Sequence, residues 1–204
     1  ELWRLEFTRQ ETGLHFYWFR IDKRGGGSFR LFRQGRDTNM EAGEKWQLSV
    51  IPADFRVPDF APGAVMYQIF PDRFARSGSS DLTGKLQPFW VHESPDELPE
   101  YRPDAQGEVR NNDFFGGNFA GIREKLPYLQ ELGVGVLYLN PIFMAWSNHR
   151  YDTADYRRPD PMLGTEEDFR ALCDAAHARG MRVILDGVFS HTGSNSVYFD
   201  AKHV

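Results

Sequence analysis

The chain has 204 residues, with 24 Lys and Arg against 29 Asp and Glu and a formal charge of −5. At 41% hydrophobic and 15% aromatic it has ample material for a packed core, which excludes overall disorder. The acidic balance offers nucleic acid no electrostatic footprint, and the single cysteine, Cys173, excludes both an internal disulfide framework and a cysteine-built zinc site.

No apolar run approaches the roughly 18 residues that a membrane span requires. The densest, Val134–Leu139, stops at Asn140 and Pro141, so no membrane partner is expected. Glu1-Leu2-Trp3-Arg4 shows no basic-then-apolar leader, and a cytoplasmic location is expected. Since residue 1 is not Met, the true start is expected to lie upstream.

Residues 1–57 hold strand-like runs at 2–7, 14–21, 29–32 and 46–51, separated by Glu11-Thr12-Gly13 and by Gly25-Gly26-Gly27. Leu14-His15-Phe16-Tyr17-Trp18-Phe19 is too aromatic for a strand with one buried face. Such runs suit the back part of an all-β domain. Proline-rich residues 52–62 read as a connection, with the linker itself at 58–63.

From residue 64 the pattern alternates strand and helix. Residues 65–70 predict a strand ending at Pro71-Asp72, and a long polar stretch, 73–112, follows. Phe119, Ile122, Leu126, Leu129 and Leu132 make a helical stripe that Pro127 should bend and Gly133 should end. Val134–Leu139 is nearly all apolar, as a parallel strand buried on both faces would be. After a second loop, 140–163, Thr165 and Asp168 form a variant capping box. Phe169, Leu172, Cys173 and Ala176 continue as a helical stripe to Gly180, and residues 181–185 predict a third strand. Strand, helix, strand, helix, strand implies an α/β fold with two right-handed βαβ units and a parallel sheet.

Parallel α/β folds gather function at the carboxyl ends of their strands. Here those ends carry Asp72 and Arg73, then Asn148-His149-Arg150-Tyr151-Asp152, then Asp186 through His191. Aromatic rings among carboxylates, imidazoles and amides suit a sugar, whose apolar face packs on a ring while its hydroxyls take hydrogen bonds. Plainer readings compete at several positions. Asp72 and Arg73 read first as a structural ion pair, Cys173 as a small core residue, and Gly116-Gly117 as a tight turn. His177 reads as solvated, whereas His92 and His203 sit in polar, irregular sequence with no role assigned.

Tyr67-Gln68-Ile69-Phe70-Pro71-Asp72-Arg73-Phe74, Phe115-Gly116-Gly117, residues 133–141, Asn148 through Tyr156 and Asp186 through His191 together resemble glycoside hydrolase family 13, the α-amylase family. They are most similar to its neopullulanase, cyclomaltodextrinase and maltogenic amylase branch. The resemblance implies that residues 64–204 are the first three β/α units of a TIM (β/α)8 barrel. It implies that residues 1–57 are the last strands of an N-terminal β-sandwich. It further implies an α-glucan substrate in maltodextrin, cyclodextrin or pullulan, and a homodimer through the N-terminal domain.

By the same resemblance His149, Tyr151, Asp186 and His191 bind the sugar at the cleavage subsite, with the Tyr151 ring stacked on it. The nucleophile and acid/base carboxylates of a retaining mechanism are implied on later strands, beyond Val204, so no residue here is expected to be catalytic. Two departures concern calcium. Ser190 replaces the usual Asn, and Arg76-Ser77-Gly78-Ser79-Ser80-Asp81 replaces an Asn- and Asp-rich loop, with Asn118 in place of a further Asp ligand. A cation then stands where an oxygen ligand is needed, and no calcium or other cofactor is expected. Two other classes share these residues: a non-catalytic carbohydrate-binding fragment, and a silent amylase-like ectodomain, which has no need of His149, Tyr151 and His191.

Overall fold

The computed structural model describes residues 4–34, 37–39 and 42–199, with the side chains of 37–39 left aside. The chain divides into two compact units, Glu1–Pro58 and Asp59–Val204.

The first unit is all β. Strand β1 (Gly13–Tyr17) pairs antiparallel with β5 (Trp46–Val50), and β2 (Phe19–Asp22), β3 (Ser28–Gln34) and β4 (Asp37–Asn39) form a second antiparallel sheet. The expected run 14–21 is broken at Trp18, which belongs to neither sheet. Alternation explains why the stretch needs so many rings. Tyr17 and Phe19 pack on Trp46, at centroid distances of 5.9 and 5.2 Å, while Trp18 between them stacks on Phe32 at 6.2 Å. The strand expected at 2–7 is not found. Residues 4–7 are irregular and exposed, and residues 2 and 3 lie outside the described residues.

In the second unit β6 (Val65–Ile69), β9 (Val134–Leu139) and β12 (Arg182–Leu185) make one parallel sheet in the order β6-β9-β12. Tyr67 and Ile69 lie level with Leu137 and Leu139, and these with Val183 and Leu185. That row of alternate residues faces helices α2 (Phe119–Glu124), α3 (Leu126–Glu131) and α4 (Glu166–His177). Phe119, Ile122, Leu126, Leu129, Leu172 and Ala176 are all fully buried against it and form the core of the unit. On the other face of the same sheet Met66 is 54% exposed, and Gln68 reaches the next strand end, its Nε2 donating to Asn140 Oδ1 at 2.7 Å.

The stripe from Phe119 to Leu132 is two helices rather than one bent one. Pro127 has no N–H to give the carbonyl of Arg123, so α2 ends at Lys125 and α3 begins there. The Thr165 capping box forms as expected, with Thr165 Oγ1 accepting from Asp168 N and Thr165 N donating to Asp168 Oδ2.

Both long connections contain structure of their own. After a one-turn helix α1 (Pro71–Phe74), β7 (Trp90–Val91) pairs with β8 (Asp113–Phe114). After β9, β10 (Phe143–Ala145) and β11 (Thr153–Pro159) form an irregular antiparallel hairpin. These extra strands carry the polar residues described next. Among the described residues no helix is long and apolar enough to cross a membrane.

Candidate sugar-binding site

The carboxyl end of β12 delivers Asp186, and the loop between β10 and β11 delivers His149 and Tyr151 beside it. The Tyr151 hydroxyl donates to Asp186 Oδ2 at 2.7 Å. This bond to a carboxylate, helped by burial, raises the tyrosine pKa to about 12. Tyr138, projecting from the adjoining strand, also has its pKa raised, by burial and then by the charge of Asp186.

His149 is half-buried, and its ring lies 5.9 Å from that of Tyr151. The backbone N–H of Tyr151 points at His149 Nδ1 at 3.0 Å. That proton cannot move, so Nδ1 accepts and the neutral ring carries its hydrogen on Nε2. Burial, with Arg150 nearby, lowers the His149 pKa and favours this neutral form, against the pull of Asp152. The result is a phenol ring, an imidazole Nε2–H donor and a carboxylate acceptor on one rim, a set matched to a flat, hydroxyl-bearing ligand.

The fourth predicted residue stands apart. His191 is exposed, its Nδ1 sits 3.0 Å from Ser190 Oγ, and no hydrogen bond joins it to the other three. Its carbonyl instead accepts from the Tyr156 hydroxyl at 2.9 Å.

Behind the rim lies a buried charge network whose partners are dispersed through the sequence. Asp72 is fully buried and accepts from Arg73 Nε (2.8 Å), Phe115 N (3.1 Å) and Gly116 N (3.2 Å). The ion pair read for Asp72 and Arg73 is therefore present. Gly117 follows because a Cβ there would lie 2.0 Å from the Pro71 carbonyl oxygen. Asp113, also buried, accepts from Arg73 Nη2, from Asn148 Nδ2 and from the backbone of Glu100.

His92, given no role from sequence, is held at both nitrogens, Nε2 by Asp113 and Nδ1 by Glu97, each at 3.0 Å. Burial works against its cation, but the bonds to Glu97 and Asp113 win and raise its pKa. Further in, Asp160 meets both Lys85 Nζ and Arg150 Nε through its Oδ2, and all three side chains are fully buried.

The positions that the resemblance relates to a calcium site make internal bonds here. Asn118 caps α2, its Oδ1 accepting from Gly121 N at 2.8 Å, while its Nδ2 donates to the Ser77 carbonyl at 2.7 Å. Arg76 donates to the carbonyls of His92 and Glu93, both at 3.2 Å. Among the described residues no three His, Cys, Asp or Glu cluster as a metal would need. A cleft of about 390 Å³ opens beside Asp72, Arg73, His92 and Phe115, and none of the four predicted sugar residues lines it.

Residues 68–203 match the family model described as the alpha amylase catalytic domain. The amylopullulanase of Thermoanaerobacterium saccharolyticum is 40% identical over 210 residues, covering 98% of this chain and 16% of that protein. The intracellular maltogenic amylase of Bacillus subtilis is 47% identical over 142 residues, covering 70% of this chain and 22% of that protein. The type III pullulan hydrolase of Thermococcus kodakarensis superposes with a TM-score of 0.58 at 31% identity, covering 92% of this chain and 32% of that one. The chain thus spans less than a quarter of the length of these two curated relatives.

Proposed function

Because the chain belongs to the α-amylase family and has that family's fold, a TIM barrel with an N-terminal domain, we propose that it is the N-terminal part of a retaining α-glucan hydrolase. In this reading residues 1–57 end a β-sandwich, 58–63 link, and 64–204 supply the first three units of the barrel. The sheet order β6-β9-β12 supports it, since strands added one after another along a single direction suit a barrel rather than a doubly wound sheet.

The observation that carries the function is the Tyr151–Asp186 hydrogen bond beside His149, whose Nε2 has no hydrogen-bond partner among the described residues, at the carboxyl ends of parallel strands. A glucose unit would lay its apolar face on Tyr151 and give or take hydrogen bonds at His149 and Asp186. His191 would join the subsite only by turning its exposed ring inward. Asp186, already committed to a tyrosine, organises the floor and is not the nucleophile. The nucleophile and the acid/base, about 5 Å apart in a retaining enzyme, would belong to barrel strands beyond Val204.

The substrate is an α-1,4-linked glucan such as maltodextrin, cyclodextrin or pullulan, handled in the cytoplasm by a homodimer without calcium at the Asn118 position. Release of sugar from these three polymers by the full-length protein, reduced in the Tyr151→Phe and His149→Gln variants, is the test. A full-length protein that binds maltodextrin yet cleaves none of them would favour the non-catalytic carbohydrate-binding reading.

A further inference from the structure

Arg150 stands between the two rim residues His149 and Tyr151, and its own chemistry points the other way. It is completely buried and adopts φ +62°, the left-handed region that an arginine seldom occupies. A buried ion pair seldom outdoes a well-packed apolar side chain in stability, and glycine would fit the backbone without strain. Neither stability nor backbone ease therefore accounts for arginine here.

Its contacts do. Nη1 donates to the carbonyl of Asn148 at 2.8 Å, closing the turn on itself. Nε lies 3.2 Å from Asp160 Oδ2, an ion pair held by charge, since neither Nε nor Nη2 has a hydrogen-bond partner among the described residues. The same carboxylate also takes Lys85 and accepts from Met162 N at 3.0 Å through Oδ1. The guanidinium thus pins the turn to the end of the β10–β11 hairpin and, through Asp160, to the long loop that carries Lys85. With the arginine drawn inward, the backbone N–H of Tyr151 is set on His149 Nδ1.

We propose that Arg150 is a positioning residue for the sugar subsite, its buried pairing with Asp160 fixing the tautomer and orientation of His149 and the placement of Tyr151. The role of those two residues toward sugar rests on the functional reading above, whereas the mechanical coupling does not.

The test uses the full-length protein carrying this chain, with histidines labelled with nitrogen-15 and His149 assigned by the loss of its signals in His149→Gln. The wild type is expected to show a single His149 tautomer, with Nδ1 unprotonated. It should also titrate below the usual histidine range among Arg150, Asp152, Tyr151 and Asp186. Arg150→Gly, which suits the backbone but cuts the anchor, is expected to give mixed tautomers and an upward-shifted titration. Arg150→Lys keeps a cation near Asp160 but removes the planar guanidinium and its Nη1 bond to Asn148, and is expected to move both signals in the same direction by less. If the glycine variant does not fold, the lysine variant decides.

A folded variant of either kind with the wild-type tautomer and titration overturns the proposal. With sugar, kcat/KM on maltodextrin is expected to fall on the order of 100-fold in Arg150→Gly. Unchanged tautomers with a fall in kcat/KM would also overturn it. Changed tautomers in a protein that never acts on maltodextrin would uphold the coupling and count against the functional reading instead.

Discussion

The hydroxyl of Tyr151 donates to Asp186 Oδ2 at 2.7 Å, joining the loop between β10 and β11 to the end of the third parallel strand. The bond holds the tyrosine protonated up to about pH 12. The folded chain therefore keeps a proton that the unfolded chain loses near pH 10, and stability contributed by this group falls as pH rises between those values. Alkaline unfolding followed by phenolate absorbance should show this dependence in the wild type and a weaker one in Tyr151→Phe. The same variant should cost about 1.5–3 kcal/mol of stability, the range for a hydrogen bond to a charged group.

The Asp160 cluster predicts opposite consequences for its two ends. Asp160→Asn leaves Lys85 and Arg150 buried without their counter-charge, and denaturant unfolding should register a loss of about 3–5 kcal/mol. Lys85→Met leaves the Arg150–Asp160 pair intact and should cost much less. Burial, with Arg150 adding to it, lowers the Lys85 pKa to about 8, below the ordinary 10.5. The unfolded chain then binds the extra proton over that interval, so this group's contribution to stability rises with pH from about 8 to 10.5. Lys85→Met should abolish that rise.

His92 gives a dependence of the other sign near neutrality. Its pKa is raised above 6.5 by Glu97 and Asp113, so its stabilisation is complete below that value and is lost as pH climbs through the folded pKa. Glu97 also accepts from the amides of Glu93 and Ser94, and Asp113 from that of Glu100. Hydrogen exchange at those three amides, corrected for intrinsic rate, should accelerate above the His92 pKa. In His92→Gln it should be fast at every pH.

Gly117→Ala tests the close approach of the two loops. Its new methyl would meet the carbonyl oxygens of Pro71 and Asp72 at 2.0 and 2.7 Å, both rigid backbone atoms. The cost should reach or exceed the upper end of the roughly 1–3 kcal/mol typical of overpacking. Gly133→Ala, where a Cβ meets nothing within 4 Å, should cost only the strain of φ +83°.

What the sequence made legible follows from how local its causes are. The apolar run Val134–Leu139 and the Thr165–Asp168 capping box depend on neighbours within a few residues, and both are present as read. Of the four residues expected to bind sugar, Tyr151 and Asp186 share a hydrogen bond with His149 beside them, whereas His191 stands apart, a separation that no local pattern encodes. The two-residue strands β7 and β8 were not, since two residues give no periodicity and their pairing spans more than twenty positions. His92 and Arg150 escaped for a related reason. A charged residue in a polar stretch looks solvated until its partner is known, and those partners, Asp113 and Asp160, stand 21 and 10 positions away. At Pro127 the spacing predicts a bend, and the lost hydrogen bond produces a full break instead.

A crystal structure of the full-length protein with maltotriose would decide whether Tyr151, His149 and Asp186 form a glucose subsite. One glucose ring is expected packed on the Tyr151 face, with a hydroxyl within hydrogen-bond reach of His149 Nε2 and the Tyr151–Asp186 bond retained. Maltotriose bound elsewhere, with this rim untouched, would contradict it.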